Sequence, residues 1–518
     1  MHCAPGAIFI DWREHMIPLY YTDQGCGEPL ILLHGNGEDS SYFCHQIAHF
    51  SRSYRVIAVD TRGHGKSPRG EGEFSISRFA DDLLQLMNEL SLDSAHILGF
   101  SDGGNIALTF ALRHPERVNR LILNGANLDP SGVKASVQLP IVLGYRIASL
   151  FAKRSDGARK NAELLGLMVK EPHIDPSRLS SLCMPVLVIT GTKDMIRDDH
   201  SAMIADSVPL GKWVRIEGDH FVANRNPEAF NHAAEAFLKE EYESHIRCIA
   251  LDLDRTTLSP SKGISEETLE AIQSAIEKGI HVVVASGRAF ASLPQKITEL
   301  PGIEYAITSN GAAVYHVPSE RCIHRTVMTA ESVAEILTLT ESLNVAYEVF
   351  VDGKGYASEA FVRDPVRFGA PPSSIPYIRS TREPVADIRS FIFDHRQEID
   401  ALDLAAGSME ERDRIEKILR SKVSDIYTTT SIEYLLEISH RDCGKHAGLS
   451  WLLQMLSISP KAVAAFGDGD NDAEMLRFVG TGIAVANATE RCKEAADFVT
   501  RSNEENGVAF GIRSILKL

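Results

Sequence analysis

The chain of 518 residues is organised throughout by short apolar runs that alternate with segments of helical period. This alternation is what a parallel sheet covered by helices requires, so the expected fold class is α/β in both halves. In the first half, Leu30 to Leu33, Val56 to Val59, Ala95 to Leu98, Leu121 to Leu123 and Val186 to Thr190 read as buried strands. Between them, the stretch from Ser77 to Leu90 carries Phe79, Leu83, Leu86, Met87 and Leu90 at helical spacing, with Asp81, Asp82, Gln85 and Asn88 expected to face away. A second amphipathic helix is expected from Pro227 to Glu240, with its proline in the first turn. The sequence then turns polar from Lys239 to His245, and a new strand is expected from Cys248 to Leu253. A boundary near residue 245 divides the chain into domains 1–245 and 246–518. The second half restarts with a helix from Ser265 to Lys278, a strand from Ile280 to Ala285 and another ending near Thr308. The pattern is irregular from about Met328 to Ser439 and resumes with a helix from Lys445 and a strand from Ala462 to Phe466. An α/β core interrupted by an inserted module at 328–439 accounts for this.

Composition removes several classes of function. A hydrophobic fraction of 44% and a charged fraction of 24% are those of a globular protein. The net charge of −17 argues against nucleic acid or an anionic membrane as a bulk partner, and leaves small molecules as the expected ones. The 8 cysteines (Cys3, Cys26, Cys44, Cys183, Cys248, Cys322, Cys443 and Cys492) are scattered without a C-x-x-C pair. That spacing suits reduced thiols in a cytoplasmic protein, and neither a zinc site nor a disulfide framework. The opening run MHCAPGAIFIDWREH lacks the basic region and long apolar run of a signal peptide. The apolar stretch from Leu139 to Phe151 contains Arg146, is too short to span a bilayer, and reads as a surface or lid helix. Oligomeric state leaves no mark in the sequence.

The chemistry of the second half begins where the apolar run IALDLD ends in Asp252-Leu253-Asp254-Arg255-Thr256-Thr257. Two carboxylates two residues apart at the end of a strand can serve one site, where ligands of open α/β sheets bind. One can attack a metal-activated phosphorus and form an aspartyl-phosphate; the other can protonate the leaving oxygen and later activate water. Alone this D-x-D-x-T is weak, but its companions are ordered. Ala285-Ser286-Gly287-Arg288 ends the next strand and offers a hydroxyl and a free N–H to phosphate oxygens. Gly444-Lys445 opens a helix with a cation, and Gly467-Asp468-Gly469-Asp470-Asn471-Asp472 ends a further strand in carboxylates. A hard cation such as Mg²⁺ takes few protein oxygens, for which Asp252, the Asp254 carbonyl and Asp468 suffice. The cation and Lys445 would then neutralise charge on the transferring phosphoryl group.

These four motifs in this order resemble the haloacid-dehalogenase-like superfamily, and within it the Cof-type phosphatases, over about residues 246–518. Ser309-Asn310-Gly311-Ala312, Asn487-Ala488 and Asn506-Gly507-Val508-Ala509 are similar to that family as well. The resemblance implies Asp252 as nucleophile and Asp254 as acid/base. It implies Ser286, Gly287, Lys445, Asn471 and the Leu253 backbone around the phosphate, Asp468 at Mg²⁺ and Asp472 supporting from behind. It further implies a Rossmann-like core whose insertion is a large α/β cap that chooses the substrate, a small phosphorylated metabolite. Arg255 departs from the family, which has Gly or Asp there, and Thr257 stands where the family has Leu. Arg255 either lies near the substrate or is solvated at the cap boundary.

The first half carries a second constellation. Gly99-Phe100-Ser101-Asp102-Gly103-Gly104 is a G-x-S-x-G between a strand and an apolar helix, the context of a nucleophile elbow, with glycines where side chains would clash. Asp194 follows the strand ending at Thr190, and His220 follows the next, so the chain order is Ser, Asp, His. Ser101 is assigned as nucleophile, His220 as base and Asp194 as orienting acid, with Asp129 the other candidate acid. Early in the chain Leu33-His34-Gly35-Asn36-Gly37 ends a strand. The N–H groups of Asn36 and Asp102 are expected to form an oxyanion hole. With Asp60-Thr61-Arg62-Gly63-His64-Gly65-Lys66-Ser67, residues from about 8 to 240 resemble the α/β-hydrolase superfamily, with a lid at 128–182. The G-F-S-D-G-G run is also similar to that of amino-acid ester hydrolases, in which the acidic residue beside the serine could favour cationic substrates. The preferred reading of the Asp102 side chain is structural.

The expected function is a bifunctional hydrolase: a Mg²⁺-dependent phosphatase fused to a serine hydrolase, the latter acting on carboxylic esters. The other class considered is a first half that acts as a ligand receptor or scaffold without turnover, since fold does not dictate function.

Overall fold

A computed structural model describes residues 17–240, 244–259 and 263–518. Cys3, the opening run to His15, and Glu241 to Glu243 of the polar run lie outside the described residues. The chain divides into two compact units that meet in sequence at Glu243 and Ser244.

The first unit is built on seven strands: β1 (Tyr21–Gln24), β2 (Pro29–Leu33), β3 (Arg55–Val59), β4 (Ala95–Phe100), β5 (Val118–Asn124), β6 (Val186–Gly191) and β7 (Gly211–Ile216). They lie in the order β1-β3-β2-β4-β5-β6-β7. Only β1 runs antiparallel, against β3. Every residue of β4 and β6 is buried, as strands covered by helices on both faces must be. The helix Ile76–Glu89 is capped by the Ser75 side chain, which accepts the Arg78 N–H at 3.2 Å. Its face of Phe79, Leu83, Leu86 and Met87 is buried as expected, but Asp82 is not turned to solvent. Asp82 is 3% exposed and takes a two-bond fork from Arg62, at 2.7 and 2.6 Å, and Arg62 is itself fully buried. A buried guanidinium needs a charged partner, and that need overrides the polar side chain's preference for water. After β5, the helices Ala135–Phe151 and Asp156–Lys170 pack together. The first of them buries none of its residues, and leaves Leu139, Leu143, Ile147, Leu150 and Phe151 exposed.

The second unit contains two sheets. The larger combines β8 (Cys248–Leu251), β9 (His281–Ala285), β10 (Tyr305–Thr308), β11 (Ala313–His316) and β12 (Arg321–Arg325) with three strands from the chain's end. The smaller, inserted between them, combines β13 (Ala346–Val351), β14 (Lys354–Ser358), β15 (Arg382–Val385), β16 (Ile399–Ala405), β17 (Ile426–Thr429) and β18 (Leu435–His440). The chain then returns to the larger sheet as β19 (Val463–Gly467), β20 (Thr481–Ala484) and β21 (Phe498–Val499). The eight-stranded order is β12-β11-β10-β9-β8-β19-β20-β21, parallel from β10 to β21. The six-stranded order is β15-β14-β13-β16-β18-β17, antiparallel except between β14 and β15. Among the described residues, no helix is long and apolar enough to cross a membrane, and the seven described cysteines are free thiols.

Candidate active sites

In the first unit, β4 runs directly into the helix Asp102–Arg113, and Ser101 occupies the turn with φ 53° and ψ −120°. So sharp a turn leaves no room for a side chain at Gly99 or Gly103. A Cβ on Gly99 would stand 2.2 Å from the Gly103 carbonyl oxygen, and one on Gly103 would stand 2.1 Å from that of Leu33. His220 Nε2 lies 3.0 Å from Ser101 Oγ, and Nδ1 lies 2.7 Å from Asp194 Oδ1. Asp194 also accepts the N–H groups of Ile196 and Gly191, at 3.0 and 3.1 Å. Its burial would raise its pKa, but His220 and these donors outweigh burial and hold the carboxyl below the usual range. The other candidate acid, Asp129, is not in this group; it pairs with His173 at 2.5 Å and accepts the Ser131 N–H.

The Asp102 N–H is the first of its helix and so has no intrahelical acceptor. The Asp102 side chain is buried, and burial raises its pKa. Its oxygens accept from Asn36 Nδ2 at 2.8 Å and Asn105 Nδ2 at 3.3 Å. Asn36 Nδ2 also donates to the Leu164 carbonyl at 2.8 Å, which ties the loop after β2 to the helix Asp156–Lys170. The Asp102 side chain thus holds the Asn36 amide in place. Two further side chains stand at the loop after β2, and the motif reading gave neither a role. Glu38 accepts the Gly35 N–H at 3.3 Å, and burial raises its pKa to about 7. His34 is locked between the Gly35 carbonyl and the Thr61 N–H. His34 opens the His-Gly-Asn-Gly run itself, and Glu38 has no signal beyond its place directly after that run.

In the second unit, the strand expected to reach Leu253 ends at Leu251, and the chain turns through Asp252 to Thr257. Lys445 Nζ lies 2.6 Å from both Asp252 Oδ1 and Asp472 Oδ1. Lys445 opens the helix Lys445–Leu456, and the backbone brings it there by a close crossing. The Gly444 N–H donates to the Asn310 carbonyl at 2.9 Å, and a Cβ on Gly311 would stand 2.0 Å from the Gly444 oxygen. Asp472 Oδ2 accepts the N–H groups of Asp468 and Gly469, at 3.0 and 2.9 Å, so both its oxygens are committed. Thr256 Oγ1 donates to Asp468 Oδ1 at 3.0 Å.

Carboxylate oxygens of Asp252, Asp468 and Asp472 lie within 4.8 Å of one another, all buried. Burial, then the charge of Asp472, raises Asp252 well above the usual carboxylate range and Asp468 to about 7. Burial would lower Lys445, but Asp252 and Asp472 overcome it and raise its pKa. The donor set is all oxygen and carries more negative charge than Lys445 balances, which fits a hard divalent cation.

Asp254 stands apart from this cluster, with both oxygens held by Arg288 at 2.8 and 2.5 Å. Arg288 in turn lies 4.3 Å over the Tyr377 ring of the inserted module. Ser286 is fully buried, and its Oγ accepts the Arg288 N–H at 3.2 Å. Asn471 Nδ2 donates to Asn310 Oδ1 at 3.0 Å, and Leu253 is buried with its carbonyl accepting three turn N–H groups. Arg255 has φ 61°, and its Nε lies 3.6 Å from Asp468 Oδ2. The left-handed backbone explains why Gly or Asp suits this position better than arginine.

Residues 249–512 match the haloacid dehalogenase-like hydrolases, and residues 28–146 match the alpha/beta hydrolase fold. Phosphatase YwpJ of Bacillus subtilis is 31% identical over 287 residues, covering 52% of this chain and 100% of that protein. The 5-amino-6-(5-phospho-D-ribitylamino)uracil phosphatase YwtE of the same organism is 30% identical over 286 residues, covering 52% and 98%. A solved haloacid dehalogenase-like hydrolase from B. subtilis is 29% identical with a TM-score of 0.47, covering 52% of this chain and 99% of that one. The chain belongs to the haloacid dehalogenase-like hydrolases, and carries an alpha/beta hydrolase fold ahead of that domain.

Proposed function

We propose that the second unit is a Mg²⁺-dependent phosphatase acting on small phosphoric monoesters through an aspartyl-phosphate, and that the first is a serine hydrolase of carboxylic esters. The observation that carries the first reading is the buried cluster in which Lys445 joins Asp252 to Asp472, beside Asp468. Asp252 and Asp468, with the Asp254 carbonyl, would hold Mg²⁺, which when bound neutralises phosphate charge and allows the carboxylate to approach phosphorus. An Asp252 oxygen bonds to phosphorus as the ester oxygen leaves with a proton from Asp254. Asp254 then takes a proton from water, whose oxygen attacks phosphorus and returns Asp252 as carboxylate with inorganic phosphate released. Arg288 occupies both Asp254 oxygens, so this acid-base work requires that pair to open. Ser286, Gly287, Lys445, Asn471 and the Leu253 backbone surround the phosphoryl group.

For the first unit, the contacts of His220 to Ser101 and Asp194 support the reading. His220 takes the Ser101 proton as Oγ attacks the ester carbonyl, then gives it to the leaving alcohol; water repeats the sequence on the acyl-enzyme. The N–H groups of Asn36 and Asp102 would receive the oxyanion. The test uses the full chain. Phosphate release from p-nitrophenyl phosphate should require Mg²⁺, stop in EDTA and stop in Asp252→Asn. Multiple turnovers of p-nitrophenyl butyrate should stop in Ser101→Ala. Metal-independent phosphate release refutes the first reading. Failure of the wild type to turn over any ester refutes the second and favours a receptor or scaffold.

A further inference from the structure

The inserted sheet has one face whose charge the proposed chemistry does not use. Side chains alternate along its strands. Val349, Leu402 and Ile438 join the apolar cluster with the helices Ala330–Thr340 and Met409–Lys422. Their neighbours face the other way. At one end of that face Ala346, Ala405 and Leu435 pack with Phe361 and Phe368. At the other end Phe350 and Ala401 pack on Ala289, three residues beyond Ser286. Between these patches stand Glu348, Asp403 and Glu437, directly opposite one another across β13, β16 and β18.

All three carboxylates are buried, with exposures of 2%, 3% and 6%. Like charges placed opposite in a sheet are destabilising, and buried ones more so without partners. Arg382 is the cation that answers them, and its Nε donates to Glu348 Oε2. The two cations nearer the phosphoryl site are committed elsewhere, Arg288 to Asp254 and Lys445 to Asp252 and Asp472. Burial, followed by Glu437 and Glu348, pushes Asp403 well above the usual carboxylate range. Glu437 Oε1 accepts from Ser431 Oγ at 3.1 Å and lies 3.2 Å from where a Cβ on Gly287 would stand. Glu437 Oε2 is buried with no partner. An unpartnered buried carboxylate oxygen calls for a donor. As ionised groups, three carboxylates against one guanidinium are short of positive charge, and burial meets the shortfall by favouring the protonated forms of Asp403 and Glu437 until a cation joins them. A hydroxyl could donate to these oxygens, but it would not balance their charge. The approach of Glu437 to Gly287 sets this row beside the residue that the phosphatase reading places at the phosphoryl group.

We propose that Glu348, Asp403 and Glu437 receive a protonated amine on the leaving group, so that the phosphatase site prefers amino-alcohol or amino-sugar phosphates over their hydroxyl counterparts. This rests on the phosphatase reading of Asp252. The test compares kcat/KM with Mg²⁺ for two matched pairs, O-phosphoethanolamine against 2-hydroxyethyl phosphate and glucosamine 6-phosphate against glucose 6-phosphate. The wild type should favour the amine in at least one pair by about tenfold or more. Asp403→Asn and Glu437→Gln should bring that ratio to within about twofold of unity. A ratio taken within one preparation cancels any loss of folded enzyme. In EDTA, the amine partner of the favoured pair should raise the wild-type Tm more than its hydroxyl analogue does. Equal rates in both pairs for an active wild type, or a preference that survives in both variants, overturns the inference alone. No Mg²⁺-dependent phosphate release from any of these esters or from p-nitrophenyl phosphate overturns the phosphatase reading and this inference with it.

Discussion

Mild acid is expected to destabilise the first unit through His34, a residue that takes no part in proton transfer. Its ring is 1% exposed. The Thr61 N–H, which can only donate, points at Nε2 from 3.0 Å, so Nε2 is bare and Nδ1 carries the proton toward the Gly35 carbonyl at 2.8 Å. Protonating Nε2 would set two donors face to face and bury a charge. Burial accordingly lowers the pKa from 6.5 to about 4. The folded value lies below the unfolded one, so the unfolded chain binds more protons in the interval between them. The stability is intact above about pH 6.5 and is lost as the pH falls toward 4. At about 1.4 kcal/mol per unit the loss is limited to about 3 kcal/mol, and about 2 kcal/mol of it is gone by pH 5. His64, His96 and His200 are also lowered by burial, so the measurement must be a difference. His34→Gln keeps an acceptor near Nε2 and removes the titration. Urea unfolding would be followed by tryptophan fluorescence in a Trp451→Phe background, which leaves Trp12 and Trp213, both within the first 240 residues. Between pH 7 and pH 5, the histidine protein should lose about 2 kcal/mol more than the glutamine variant. Parallel losses in the two proteins would refute the argument.

Three further outcomes are expected. Ser101→Ala should abolish ester turnover and leave Mg²⁺-dependent phosphate release at the wild-type rate, while Asp252→Asn does the reverse; parallel assays on each protein check this, and loss of both activities in either variant counts against two separate sites. Asp82→Ala strands the Arg62 guanidinium in the core and should cost about 3–5 kcal/mol in urea unfolding; a loss below about 1 kcal/mol would mean that Arg62 finds another partner. Arg255→Gly relieves the left-handed backbone, a saving of about 1–2 kcal/mol against a glycine entropy cost of about 1 kcal/mol, so Tm should hold or rise slightly. The same change removes a guanidinium beside Asp468, so the Mg²⁺ midpoint for phosphate release should fall, and an unchanged midpoint would separate Arg255 from the metal site.

The parts legible in the sequence are those whose signal is local. Buried parallel strands are runs of apolar residues, so β2 to β6 were read to within a few residues at each end. Motifs at strand ends were legible for the same reason, since Ser101, Asp252, Ser286 and Asp468 all directly follow a strand. Asp82 was misread because its charge was weighed above its angle. At about 100° per residue it falls only about 60° from Phe79, at the margin of the buried stripe. Its partner Arg62 is far in sequence, and no period announces the pair. Glu348, Asp403 and Glu437 were illegible for a related reason. Glu348 and Glu437 are each the one acidic residue of their strands and Asp403 is one of two, and only the pairing register sets them side by side. Arg288 stood inside a motif, but its fork to Asp254 depends on a turn that periodicity does not describe.

The two sites meet the cost of buried charge in opposite ways. Around Ser101 the charge is sparse and satisfied within the protein: Asp194 has His220 and two backbone donors, and Asp102 has two amides. A site of that kind is complete before substrate arrives, and its geometry is set by backbone crossings that admit only glycine. Around Asp252 the charge is dense, and one lysine stands against three carboxylates. Burial and mutual repulsion leave Asp252 and Asp468 poorly able to stay ionised, yet the nucleophile proposed for Asp252 must be a carboxylate. The arrangement makes chemical sense when a cation from solution completes it, and Arg255, loosely set beside Asp468, is then a competitor for the same charge. The row on the inserted sheet repeats the logic one step outward, with three carboxylates, one arginine and an oxygen left without a donor. Under the proposed function and the proposed amine site, metal and amine should bind cooperatively with the phosphate ester, because each added positive charge lowers the cost of retaining the others' carboxylates in ionised form.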